Sequence, residues 1–154
     1  MSASKTAIRF GLFGHCLALL VVTAFTNNLT AADIAWTNDP QHAVDVAHQS
    51  GRMILVSVGA DWCHFCKKME RESWTDRSVA AIVARSYVPL RLQDEQHAEL
   101  IRALGVHAFP TTLVFTADRR LVARVEGYVD ASKLASLLDR AYVAARNGTP
   151  LESF

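Results

Sequence analysis

The hexapeptide WCHFCK, residues 62–67, places Cys63 and Cys66 three positions apart. A short apolar run rich in β-branched residues (53–58) precedes it, and a helical pattern begins at it. A C-x-x-C pair at the start of a helix is typical of a redox site, because one thiolate attacks a disulfide and the second thiol displaces the product. This stretch therefore predicts a strand, a turn and a helix that carry a redox-active cysteine pair.

The two cysteines are expected to have different roles. Cys63 would lie at the helix start, where unpaired N–H groups and the positive end of the helix dipole favour a thiolate over a thiol. Cys66, one turn further on, is expected to lie under the first sulfur and to be more buried. Cys63 is therefore predicted to attack a substrate disulfide, and Cys66 to resolve the mixed disulfide.

Four neighbouring residues are candidates for docking and tuning. Trp62 would provide apolar cover beside the nucleophile, with a plain packing role as the alternative. His64, as an imidazolium, would stabilise the Cys63 thiolate, or it is simply a solvated side chain. Phe109-Pro110 leads directly into a predicted strand, so its peptide bond is a candidate for the cis form.

Two alternatives to redox chemistry remain open: an inert structural disulfide, and a carrier of a soft metal ion (copper or zinc). The two thiolates with His64 or His107 could bind such an ion, but no second C-x-x-C or H-x-x-x-H completes a four-ligand set. The covalent haem motif C-x-x-C-H is excluded, because Lys67 stands where it needs histidine. If the pair is redox-active, as we predict, neither a bound metal nor a cofactor is expected. Three further histidines are interpreted as surface helix residues without partners: His42, His48 and His97.

The first 32 residues have the pattern of a secretory signal peptide. Lys5 and Arg9 precede an apolar run of 16 residues (10–25), and a polar stretch then leads to Ala31-Ala32, where cleavage is expected. A retained membrane anchor is the alternative, but a bilayer span takes about 20 residues. The third cysteine falls inside this segment. The exported chain is expected in the periplasm and would therefore hold only the C-x-x-C pair.

Length and charge favour one nearly neutral domain. The chain has 154 residues, 51% of them hydrophobic, and predicts a domain over 33–148 with a tail at 149–154. Its 16 basic and 15 acidic residues form no basic block. Nucleic acid is therefore not expected as a partner, and neither is stable membrane insertion after signal cleavage. The expected partners are protein disulfide or dithiol substrates and a redox partner protein.

The elements predicted along the chain are a helix from Pro40 to Gly51, strand 53–58, helix 63–71, a helix from Asp76, strand 87–92, helix 95–104, strands 111–116 and 121–125, and a helix from Asp130. Strands separated by helices pair in parallel, whereas the late hairpin is antiparallel. The pattern predicts an α/β fold with a mixed central sheet flanked by helices. Pro89 would mark a strand start or an irregularity.

Three motifs carry a resemblance to a known family: ADWCxxCK at 60–67, VxxFPT at 106–111, and Gly127. Over about residues 36–145, the chain resembles the thioredoxin superfamily, in particular exported thioredoxin-like proteins similar to the C-terminal domain of the thiol-disulfide interchange protein. The resemblance implies a thioredoxin fold, a cis Pro110 against the cysteine pair, and a Phe109 backbone that pairs with an extended substrate. It implies a thiol-disulfide oxidoreductase, and the interchange-protein likeness slightly favours reduction over oxidation.

One position departs from the family pattern. Many thioredoxins carry a buried aspartate six residues before the first cysteine, as a proton acceptor for the resolving thiol, and Ser57 stands there in this chain. A hydroxyl cannot take that proton at neutral pH. Resolution by Cys66 would then be slower, or it would depend on water or on another carboxylate.

Overall fold

The computed structural model describes residues 33–148, so the predicted signal peptide and C-terminal tail lie outside the described residues. The elements in chain order are α1 (Pro40–Ser50), β1 (Met53–Gly59), α2 (His64–Glu72), α3 (Arg77–Ser86), β2 (Tyr87–Gln93), α4 (Asp94–Ala103), β3 (Thr111–Phe115), β4 (Leu121–Glu126) and α5 (Ala131–Asn147). This order confirms the predicted succession of helices and strands.

The four strands form one mixed sheet in the order β2-β1-β3-β4. β1 pairs in parallel with β2 and antiparallel with β3, and β3 pairs antiparallel with β4. The central strand β1 is apolar at nearly every position because helices cover both of its faces. Residues of α1 and α4 pack on one face, and residues of α2, α3 and α5 pack on the other.

Helix ends follow local signals in the sequence. The Asp39 side chain accepts hydrogen bonds from the N–H groups of Gln41 and His42 at the start of α1. Gly51 ends that helix with φ +67°, a conformation that glycine adopts without a Cβ penalty. Asp76 and Asp130 cap α3 and α5 in the same way. These local caps explain why the predicted boundaries agree with the structure.

Pro89 lies in the middle of β2, so the expectation of a strand start or irregularity there is wrong. The lead-in to α1 explains this: the Thr37 N–H donates to the Pro89 carbonyl (3.0 Å), and the Arg91 N–H donates to the Thr37 carbonyl (2.8 Å). N–H and C=O groups of one strand residue point to the same side, so residue 89 faces the edge of the sheet, away from β1. A missing N–H there costs no bond to β1.

His97 interrupts α4 with non-helical backbone angles (φ −128°, ψ 23°). Its Nε2 lies 3.0 Å from the Asn38 carbonyl, and its Nδ1 lies 3.2 Å from the Gln93 N–H. The same Nδ1 also lies 3.2 Å from the Gln93 carbonyl oxygen. The expectation that His97 has no partner is therefore wrong.

No helix within residues 33–148 is long and apolar enough to cross a membrane.

Candidate active site

Cys63 and Cys66 are joined as a disulfide at the start of α2, with their Cα atoms 5.3 Å apart. Cys63 is the N-cap residue, and its Sγ accepts a hydrogen bond from the Cys66 N–H at 3.1 Å. The predicted position of the first cysteine at the helix start is confirmed. When the bond is reduced, this N–H group and the helix dipole stabilise a thiolate at Cys63.

The relative exposure of the two cysteines differs from the expectation. Cys63 is only 5% exposed, whereas Cys66 is partly exposed, so the prediction that Cys66 is the more buried is wrong for the disulfide form. A cavity of about 70 Å³ lies beside Cys66, and Ser57 and Gly59 are among its lining residues. A Cβ at Gly59 would lie 3.4 Å from the Cys66 Sγ. Small residues on β1 therefore leave this side of Cys66 open.

Exposed aromatic side chains stand next to both cysteines in the sequence. Trp62 is 71% exposed and packs edge to face on Phe109, with ring centroids 5.8 Å apart. Phe65, which the sequence analysis did not single out, is 55% exposed. The exposed ring of His64 lies against Phe65 at 5.6 Å. Trp62 is therefore not a core residue, and its exposed ring covers the partly buried Phe109.

The loop before β3 brings Pro110 to the cysteine pair. The Phe109-Pro110 peptide bond is cis, and Pro110 lines the same cavity as Cys66. The Pro110 carbonyl accepts a hydrogen bond from the Gly127 N–H at 2.7 Å. Gly127 has φ +89°, which favours glycine at this position. The loop is further fixed by a hydrogen bond from the Thr111 hydroxyl to the Ala108 carbonyl (2.8 Å).

An ion pair lines the cavity beside Cys66. The Arg91 guanidinium lies 2.7 Å from the Glu70 carboxylate, and it also lies over the Trp36 ring, 4.6 Å from its centroid. Partial burial raises the pKa of Glu70, although the Arg91 charge and hydrogen bond act to lower it. Arg91 is the register partner of Ser57 on the neighbouring strand.

Two acidic residues therefore line this cavity: Glu70 from α2, one turn after Cys66, and Asp61 from the loop after β1. Neither Arg91 nor Glu70 was among the site residues predicted from the sequence. The available signal was the i, i+4 spacing of Cys66 and Glu70, which places the two on one side of a helix.

Residues 33–148 contain no group of three or more His, Cys, Asp or Glu side chains that could hold a metal ion. His64 and His107 are both exposed.

Comparisons with known proteins agree with this architecture. A model of the thioredoxin-like domain family matches residues 40–142. The chain is 31% identical to the thiol:disulfide interchange protein DsbD of Yersinia enterocolitica over 98 residues. This aligned region is 60% of this chain and 17% of the relative. DsbD of Citrobacter koseri is 32% identical over 101 residues, or 62% of this chain and 18% of the relative. The chain thus spans less than a fifth of the length of these relatives.

Solved structures show the same fold. A thioredoxin from Thermus thermophilus superimposes with a TM-score of 0.66 at 21% identity, over 73% of this chain and 90% of the other. The reduced DsbD C-terminal domain of Neisseria meningitidis gives a TM-score of 0.57 at 20% identity, over 66% of this chain and 92% of the other. The predicted thioredoxin fold is confirmed.

Proposed function

Because this chain belongs to the thioredoxin-like domain family and is a thiol-disulfide oxidoreductase, we propose that it is exported and exchanges disulfides with protein substrates, with reduction favoured over oxidation. The observation that carries this proposal is the Cys63–Cys66 disulfide at the start of α2, beside exposed aromatic side chains. The likeness to the thiol:disulfide interchange proteins supports the direction.

In the proposed reaction, the Cys63 thiolate attacks one sulfur of a substrate disulfide, and the other substrate sulfur leaves as a thiolate. Cys66 then loses its proton, and its thiolate attacks the Cys63 sulfur. The second substrate thiolate leaves, and the Cys63–Cys66 disulfide forms. Two electrons have passed from the cysteine pair to the substrate, so a redox partner protein must supply two electrons to the pair before the next cycle.

Glu70 is proposed to take the proton that Cys66 loses. It lines the cavity beside Cys66, and partial burial raises its pKa. A carboxylate with a raised pKa is a better proton acceptor near neutral pH than an ordinary one. The cavity, at about 70 Å³, is large enough for a water to relay the proton, because one water needs about 10–15 Å³. Glu70 would thus serve the role for which Ser57 is unsuited.

Substrate docking is proposed to use the exposed rings of Trp62 and Phe65, together with the partly buried Phe109 on which Trp62 packs. Exposed aromatic groups contribute large apolar contact area to a protein partner. An extended segment of the substrate would lie along this surface and pair with the Phe109 backbone, next to Pro110. His64, which is exposed beside Phe65, would contact the same segment.

The disulfide chemistry is tested with an insulin reduction assay on protein lacking residues 1–32. Cys63→Ser should abolish activity, and Cys66→Ser should accumulate a mixed disulfide at Cys63. Full activity of Cys63→Ser would refute the mechanism. The direction is tested by the reduction potential against glutathione: a value near roughly −270 mV supports a reductase, and one near about −120 mV reverses that assignment.

Export is tested by expressing the full chain in a Gram-negative host and recovering it from the periplasm. A mature N-terminus at Ala32 or Asp33 is expected. Retention of the uncleaved chain in the membrane fraction would instead support an anchor.

A further inference from the structure

The loop that presents the nucleophile is held by a residue from a distant element. The Asp61 N–H, between β1 and α2, donates a hydrogen bond to the Glu95 carboxylate at 3.0 Å. Another hydrogen bond of this loop is local and runs from the Cys63 N–H to the Ala60 carbonyl (3.1 Å). The Glu95 bond is therefore the contact that ties the loop to α4.

The register of the sheet explains why Glu95 reaches this amide. β1 and β2 run in parallel and end together, with Gly59 opposite Gln93. Asp61 lies two residues beyond Gly59, and Glu95 lies two residues beyond Gln93. Both segments leave the same edge of the sheet in the same direction, so Asp61 and Glu95 come close without distortion of either strand.

The first turn of α4 is itself fixed in place. His97 bonds back to Gln93 and across to the Asn38 carbonyl, and its non-helical backbone separates this turn from the rest of α4. Gln93 also approaches the loop, because a Cβ at Gly59 would lie 3.3 Å from the Gln93 Oε1. Glu95 therefore extends from a turn that is anchored on two sides.

We propose that Glu95 is a positioning residue for the redox site: its carboxylate fixes the loop of residues 59–62 and so sets the place of Trp62 and Cys63. The inference rests on the disulfide exchange proposed above. Glu95 acts through the Asp61 backbone and touches neither sulfur nor substrate in this role. Its loss should let the loop sample conformations in which Cys63 is misaligned for attack, and small misplacements of a reacting group reduce rates.

Two conservative variants separate the effect of the Glu95 side-chain length from the effect of its charge. Glu95→Gln keeps an acceptor oxygen at the same distance and removes the charge, whereas Glu95→Asp keeps the charge and shortens the side chain by one methylene. Glu95→Ala removes both. Glu99→Ala is the matched control, because Glu99 is an exposed acid one turn further along α4.

The first measurement is hydrogen exchange of the Asp61 amide by NMR on the oxidised protein, which needs no substrate. We expect exchange to be about tenfold faster in Glu95→Ala and Glu95→Asp, and within about twofold of the parent in Glu95→Gln and Glu99→Ala. Unchanged exchange in Glu95→Ala would overturn the proposal.

The second measurement compares insulin reduction with alkylation of Cys63 by iodoacetamide across pH. We expect insulin reduction to fall about fivefold in the alanine and aspartate variants, with rescue by glutamine. If Glu95→Asp retains insulin reduction and Glu95→Gln loses it, the positioning role is wrong and the charge of Glu95 is what matters. A charge effect would also shift the midpoint pH of Cys63 alkylation in Glu95→Gln.

The two measurements also separate this inference from the proposed function. If the parent protein fails to reduce insulin while Asp61 exchange responds to Glu95 as expected, the positioning contact stands and the proposed function fails.

Discussion

Replacing Glu70 by glutamine tests the proton path most directly. A general base contributes a factor of roughly 10²–10⁴ to a rate. The Glu70 side chain is 41% exposed, so water can replace it in part. We therefore expect the effect at the low end, a decrease of about tenfold to a hundredfold in the resolution step. The attack by Cys63 should remain within about twofold of the parent, because Glu70 lines the cavity beside Cys66.

The two steps are separated by stopped-flow reaction with an aromatic disulfide that releases a coloured thiolate at each step. The first phase reports attack by Cys63, and the second reports resolution by Cys66. The pH dependence of the second-phase rate is an independent test of whether the Glu70 carboxylate accepts the proton. In the parent, the rate should fall as pH drops through the raised pKa of Glu70, because the protonated carboxyl no longer accepts a proton. The glutamine variant should lack that inflection.

Glu72→Gln serves as the control. Glu72 is an exposed acid on the same helix, but it accepts a hydrogen bond from the Tyr128 hydroxyl and does not line the cavity. A second phase that is unchanged in Glu70→Gln would refute the proton path. Equal slowing of both phases would also refute it, since it would indicate a general disturbance of the site.

Two further predictions concern stability and docking. Tyr87→Phe removes a fully buried hydroxyl that donates to the Leu138 carbonyl (2.5 Å). That carbonyl lies inside α5 and keeps its place in the helical hydrogen-bond pattern, so the loss of this one bond should lower the free energy of unfolding by about 0.5–1.5 kcal/mol in urea titration. An unchanged free energy of unfolding would contradict this. Trp62→Ala should raise KM for insulin about tenfold and leave the reduction of a small disulfide within twofold. Val143→Ala, which truncates another exposed apolar side chain, should change neither rate, and an equal effect of both substitutions would refute the docking surface.

The secondary structure could be predicted because its signals are local. Asp39, Asp76 and Asp130 cap helices through bonds to residues two or three positions away, and Gly51 ends α1 by its own backbone angle. The position of Cys63 at the start of α2 is equally local, since an apolar strand and a turn precede it. The fold followed from the order of these elements and from the family motifs.

The surroundings of the cysteines could not be predicted in the same way, because they depend on contacts across the sheet. The Arg91–Glu70 pair joins β2 to α2, and the Glu95–Asp61 bond joins residues 34 positions apart. The exposure of Cys66 depends on β1, where Ser57 has a small side chain and Gly59 has none. None of these contacts leaves a periodic pattern in the sequence. The signal peptide, the tail and the roles of Trp62, His64 and Phe109 remain predictions.

The segment before α1 covers part of the β2 edge of the sheet, and this affects self-association. An open edge of a sheet offers unpaired N–H and C=O groups on which another chain can assemble. At the β2 edge, Pro89 has no N–H, and Thr37 already pairs with the Pro89 carbonyl and the Arg91 N–H. Thr37 therefore occupies part of this edge, and fewer of its N–H and C=O groups are left to pair with a second copy of the chain. A variant shortened to begin at Pro40 should expose it and aggregate through intermolecular β-pairing, even with its cysteines intact.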